Sequence, residues 1–133
     1  MLEKLKDTVN LTMKLHISNS RLVADVKADF NKDFPYLKLE FIRSNGHRET
    51  AIYSKDRVTE DSDIGTIRTK QFEGEIEYNE NSSVADFENK FYELFGLNVQ
   101  IFRRSGNIWL ETTMTDNWTL KMQNEHGREI TEI

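Results

Sequence analysis

The feature that most limits what this chain can fold into is an internal repeat. One copy opens at Val84-Ala85-Asp86 and runs through Phe91, Phe95, Gly96 and Leu97 to Gly106. A fainter copy opens at Val23-Ala24-Asp25 and runs through Phe30, Phe34 and Leu37 to Gly46. Val23/Val84, Ala24/Ala85, Asp25/Asp86, Phe30/Phe91 and Phe34/Phe95 are identical pairs in one helical phase. One residue drops out where Phe34-Pro35-Tyr36-Leu37 faces Phe95-Gly96-Leu97, and Leu39/Val99, Phe41/Ile101 and Arg43/Arg103 then correspond. Any two strand–helix–strand units look somewhat alike. Matched helix phase, a stop signal at one place and a glycine turn at one offset argue for duplication. Two copies are too few for a solenoid, so the expectation is a pseudo-two-fold pair sharing one core.

Periodicity fills in each copy. Val9, Leu11, Met13, Leu15 and Ile17 alternate with polar residues, which predicts a half-buried strand. Val23, Val26, Phe30 and Phe34 keep helical spacing until Pro35, which cannot continue a helix. Leu37, Leu39 and Phe41 alternate again before Asn45-Gly46, a hairpin signal that would set Phe41 against Thr50, Leu39 against Ile52 and Leu37 against Ser54. Lys55 to Ser62 reads as polar linker, with Ser62 or Asp63 capping a short turn over Ile64 and Ile67.

The second copy opens with Phe72, Gly74, Ile76 and Tyr78 alternating with Glu73, Glu75 and Glu77. Ser83 suits an N-cap, with Asp86 three residues on. Val84, Phe87, Phe91, Leu94 and Phe95 form one stripe, and Gly96 suits the left-handed residue that ends a helix. A two-residue Ser105-Gly106 turn would pair Ile101 with Leu110 and Val99 with Thr112.

Each copy therefore reads β-α-β-β. The expected fold is α+β, with helices on one face of a mixed, antiparallel-rich sheet. It is one domain over 1–133, made of repeats at about 9–68 and 71–122 and a loose polar tail over 123–133. Leu2, Leu5 and Val9 suit a short N-terminal helical turn or a frayed end.

Composition narrows the function classes. In 133 residues there are eight Phe and two Trp, enough large apolar side chains for a core despite 31% charged residues. No cysteine is present, which removes disulfides, thiolate nucleophiles and zinc–thiolate sites. No apolar run reaches membrane-spanning length and Met1–Asp7 lacks a signal-peptide core, so the expected compartment is the cytoplasm. The net charge of −5 weighs against nonspecific phosphate binding.

Chemistry-bearing patterns are missing. His16, His47 and His126 are not at ligand spacing, and the Glu60–Gly65 stretch does not supply the carboxylate that a calcium loop needs at its twelfth position, which is Phe72. Phosphate-binding and nucleophile-elbow motifs are likewise lacking. The expectation is no catalytic residue, no metal, no cofactor and no enzyme activity.

The informative surface is the second hairpin. The expected register puts Phe102 across from Trp109, on the side away from the helix, with Arg103 and Arg104 beside them. Aromatic and arginine side chains are typical interface anchors. Phe102, Trp109, Arg103, Arg104 and Trp118 are therefore the candidate interface residues, for an unknown protein partner or for self-association into a homodimer. The alternative is a nucleic-acid binder that stacks bases on the same aromatics. A further expectation concerns the acidic row Glu73, Glu75 and Glu77: if the two first strands pair, Lys14 and His16 meet part of it.

The pattern V-x-x-F-x-x-x-F-x-x-x-F-G-L, then a strand, a glycine turn and D-x-x-T-L, is carried by Val84, Phe87, Phe91, Phe95, Gly96, Leu97, Gly106, Asp116, Thr119 and Leu120. It resembles small uncharacterised bacterial proteins built of two tandem β-α-β-β units. The first copy departs from it, with Pro35 at the glycine position and Asp63-Ile64 where Thr-Leu stands in the second. The resemblance implies the fold, and no activity or functional residue.

Overall fold

The computed structural model describes residues 12–43, 57–68 and 73–132. Strand β1 (Met13–Ile17) leads to helix α1 (Val23–Asp33) and strand β2 (Leu37–Ile42). After a 3-10 turn (Ile64–Thr66) come β3 (Gly74–Tyr78), α2 (Val84–Phe95), β4 (Asn98–Ser105) and β5 (Ile108–Glu111). A second 3-10 turn (Thr113–Thr115) precedes α3 (Leu120–Thr131). The fold is α+β, with three α-helices and two antiparallel sheets among the described residues.

Local chemistry sets the helix ends. The Ser83 hydroxyl accepts from the Asp86 N–H at 3.1 Å, satisfying one donor of the first turn of α2. Gly96 ends α2 at φ 66°, where a Cβ would be strained, and its N–H returns to Tyr92 O at 2.9 Å. Helix α1 stops at Asp33, two residues before Pro35.

The strands do not join one mixed sheet. β1 pairs with β3, and the other sheet has the order β2-β4-β5, with every pairing antiparallel. The strands flanking a helix are thus not neighbours. Each described strand of the first half pairs with one from the second, so the core is common to both. Leu15 lies opposite Ile76, and Glu40 lies opposite Gln100. On the outer side of the first sheet Lys14 faces Glu77 and His16 faces Glu75, so the acidic row does meet Lys14 and His16, with Lys14 Nζ 3.9 Å from Glu75 Oε1.

The core is aromatic. Phe30 stacks on Phe87 at 5.2 Å, Phe87 meets Phe91 edge-on at 5.2 Å, and Phe91 meets Phe41 edge-on at 5.8 Å. Tyr78 closes the cluster and donates its hydroxyl to Asp33 Oδ2 at 3.1 Å. Burial, then the Asp33 carboxylate, hold the Tyr78 phenol above its ordinary range. The α2 stripe holds at Val84, Phe87, Phe91 and Phe95, whereas Leu94 is on the exposed side.

Backbone clasps fix both helix starts. Val23 and Ala24 N–H donate to Ser62 O and Glu60 O, while Ile64 and Gly65 N–H donate to Arg21 O and Asn19 O. Around α2, Val84 and Ala85 N–H donate to Trp118 O and Asp116 O, while Leu120 and Lys121 N–H donate to Ser82 O and Glu80 O. These bonds satisfy helix N-terminal donors that would otherwise lack intrahelical partners.

Several expectations need correction. Residues 57–62 are no mere linker: Val58 is buried and its N–H donates to Phe41 O at 2.8 Å. Within the expected loose tail, residues 123–131 are helical, because α3 covers Leu120–Thr131. The N-terminal turn, the Asn45-Gly46 hairpin tip, His47 and Phe72 lie outside the described residues.

Candidate functional site: the second hairpin and the C-terminal helix

The hairpin turn falls at Gly106-Asn107, with Gly106 at φ 64°. Ser105 therefore faces Ile108, Arg104 faces Trp109, Arg103 faces Leu110 and Phe102 faces Glu111. The shift from the expected register is two residues on one strand, so parity is kept. Phe102 and Trp109 share the outer face, as diagonal rather than direct neighbours.

Phe102 is not open to a partner. It is 3% exposed, with the Arg57 guanidinium 4.5 Å and the Lys38 ammonium 5.9 Å from its ring centre. Lys38 also lies 5.1 Å from the ring centre of Trp109, which stays half-buried. Arg104 turns back on the hairpin, its Nε donating to Gly106 O at 2.9 Å.

Arg103 and Trp118 belong to the opposite face. Arg103 Nη1 donates to Gln123 Oε1 at 2.7 Å, and its guanidinium lies 5.7 Å from the Trp118 ring centre. Burial lowers the Arg103 pKa. Gln123 is fully buried, and its amide nitrogen donates to Thr115 O at 2.7 Å. Trp118 meets His126 edge-on at 5.6 Å. The five candidate residues are thus divided between two faces, and the structure does not bring them into one patch.

Helix α3 is held by close approach. Gly127 lets the helix lie against the sheet: a Cβ there would come 3.0 Å from Tyr36 Cβ and 3.2 Å from Arg104 O. Asn124 Oδ1 accepts from Tyr36 N–H at 2.8 Å, Thr131 Oγ1 accepts from Gly106 N–H at 3.1 Å, and the Tyr36 hydroxyl donates to Glu132.

Several large apolar side chains on β5, the second 3-10 turn and α3 are exposed. Ile108 is 57% exposed, Leu110 39%, Met114 91%, Met122 50% and Ile130 40%. Ile108 and Leu110 share the Arg103 side of the sheet, the side on which α3 packs, yet they remain uncovered. Alternation along the hairpin predicts a core position for Leu110, whereas it is exposed. One signal is legible in the sequence: Met122 lies off the helical phase of Leu120, Gln123 and Gly127.

Two clefts open elsewhere. One, of about 280 Å³, runs along the β2 edge between Ala24, Ala28, Lys38, Leu39 and Trp109. Lys27 beside it donates to Glu40 Oε1 at 2.9 Å and Glu60 Oε2 at 2.7 Å. Burial alone would push Lys27 down, but these carboxylates outweigh it and raise its pKa. The hydrogen bond to Lys27 lowers that of Glu60. The other cleft, of about 300 Å³, lies against α2 between Tyr78, Asp86, Lys90 and Glu93. Among the described residues no group of three His, Cys, Asp or Glu could hold a metal ion, and no helix is long and apolar enough to cross a membrane.

Comparison with protein-family models, curated proteins and solved structures finds no match.

Proposed function

We propose that this is a non-catalytic binding or adaptor protein that acts through protein–protein contacts. One observation carries the reading: Ile108, Leu110, Met114, Met122 and Ile130, five of the eight exposed large hydrophobics among the described residues, fall within the last segment of the chain. Scattered apolar residues need no explanation, but concentration around one strand and one helix is characteristic of an interaction surface. Arg103 and Trp118 support that surface from beneath α3. The nucleic-acid alternative draws less support, since Phe102 is buried and Arg103 is engaged by Gln123.

We infer further that the two halves are a duplication related by an approximate two-fold axis. In the repeat alignment Leu15 corresponds to Ile76 and Glu40 to Gln100, and each is paired with its own counterpart. The two clasps use corresponding donors, Val23 with Val84 and Ala24 with Ala85. By this reading α3 begins where the described residues of the first half have the 3-10 turn at Ile64, and is the device that distinguishes the copies.

The test of the binding reading is a comparison of wild type with Leu110→Lys in affinity capture, with circular dichroism confirming that both are folded. Captured or self-captured protein should be lost from the variant. Identical capture by both would remove the surface from the account.

A further inference from the structure

We propose that the partner at this surface is a second copy of the chain, joined by antiparallel pairing of β5 with β5 about a two-fold axis at Leu110. The proposal rests on the binding reading above and identifies its partner.

The hydrogen-bond directions define the open edge. Arg104 N–H donates to Tyr36 O, so Arg104 directs its backbone toward the β2 side. Ile101 directs its backbone the other way: its N–H goes to Glu88 and its carbonyl accepts from Thr112 Oγ1. Alternation along β4 then points Arg103 and Ser105 at β5, where they meet Leu110 and Ile108. Trp109 and Glu111 are left with backbone N–H and C=O groups aimed away from β4. No described strand lies beyond β5. The opposite edge is different: on β2, Asn31 donates to Leu37 O and Val58 to Phe41 O.

An edge with this spacing is self-complementary. With Leu110 facing Leu110 of a second copy, Trp109 of each chain meets Glu111 of the other as a hydrogen-bonded pair. Both donors and both acceptors of each such pair are then used. Leu110 occupies a non-hydrogen-bonded site, where facing side chains are closest. A two-fold interface needs this kind of self-matching patch.

The side chains fit the same occupant. Ile108, Leu110, Met114, Met122 and Ile130 are uncharged, in a chain that is 31% charged with a net charge of −5. Two copies would otherwise repel. In the proposed pairing Glu111 of each copy lies across from Trp109 of the other, so the edges meet without directly facing like charges. Native proteins commonly protect an open edge with charged side chains, proline or a bulge, or by keeping it short. β5 is short and reads Ile-Trp-Leu-Glu: it has no lysine or proline, and its one charge, Glu111, is placed across from Trp109 in the proposed pairing.

The chain has no cysteine, which makes a single-cysteine test clean. Leu110→Cys should form a disulfide-linked dimer under mild oxidation, since the two-fold brings the introduced sulfur against its counterpart in the second copy. Tyr92→Cys, exposed on α2, should stay monomeric under the same conditions. Wild type should sediment at twice the 15.7 kDa chain mass, and Leu110→Lys at the single mass with an unchanged circular dichroism spectrum. A monomeric wild type with no faster cross-linking of Leu110→Cys than of Tyr92→Cys overturns self-association. Affinity capture then separates the failures: capture lost in Leu110→Lys keeps the surface with a different partner, and capture unchanged removes the binding reading as well.

Discussion

Phe91 has no exposed surface and meets Phe41 and Phe87 edge-on. Phe91→Ala removes contacts on both sides of the shared core, and the expected loss is roughly 3–5 kcal/mol in a denaturant titration. An unchanged midpoint would mean that the residue is not central. Phe102 and Trp109 should behave differently from each other. Phe102→Ser takes a buried ring from beneath Arg57 and Lys38 and should lower the melting temperature markedly. Trp109→Ser, at a half-buried site, should change it less. Equal effects would contradict this division of the outer face.

Lys27 gives a pH signature with a definite sign. Glu60 titrates below its ordinary value of 4.5, so its contribution is present above that value and is lost as pH falls through the lowered folded value. Lys27 titrates above 10.5, so its contribution is present below that value and is lost as pH rises through the raised folded value. The melting-temperature difference between wild type and Lys27→Met should be greatest between these limits and shrink outside both. A difference independent of pH would assign the effect to packing of the lysine stem. Glu60 is largely exposed, so solvent screening keeps its share small.

At the level of elements, legibility followed chemistry. The α2 helix could be read because Ser83, Phe87, Phe91, Phe95 and Gly96 each carry a strong local rule: cap, stripe and stop. The hairpin turn was displaced because Ser105-Gly106 and Gly106-Asn107 both place glycine where a positive φ is wanted. The turn that formed puts Gly106 in the first loop position. Strand partners were not legible, since alternation fixes which face is buried but not which strand lies beside it. Thr119-Leu120 is legible as a helix start, but the continuation of α3 is not, because its inward face uses Gln123, Asn124, Gly127 and Thr131, which have no apolar periodicity. Those residues are recognised only by what they touch: Arg103, Tyr36 and the hairpin tip. Gly127→Val tests that contact. A branched side chain must displace Tyr36 or the Arg104 carbonyl, and an overpacking loss of about 1–3 kcal/mol is expected. No loss on thermal melting would mean that α3 does not dock closely.

At the scale of the molecule, both sheets of the described residues draw strands from the two halves. β1 needs β3, β2 needs β4, and Phe30 needs Phe87. The interior is shared between halves, whereas the surface is unequal, because α3 and β5 give the second half an apolar border that the described part of the first half lacks. That inequality is what supports the proposal of a binding surface on the C-terminal side. Hydrogen exchange at the Trp109 and Glu111 amides tests it most directly. If β5 edges pair, both amides should be protected at high protein concentration and lose that protection on dilution, while the Leu110 amide, bonded within the hairpin, stays protected throughout. Trp109 and Glu111 amides that exchange at unprotected rates at every concentration would contradict the account.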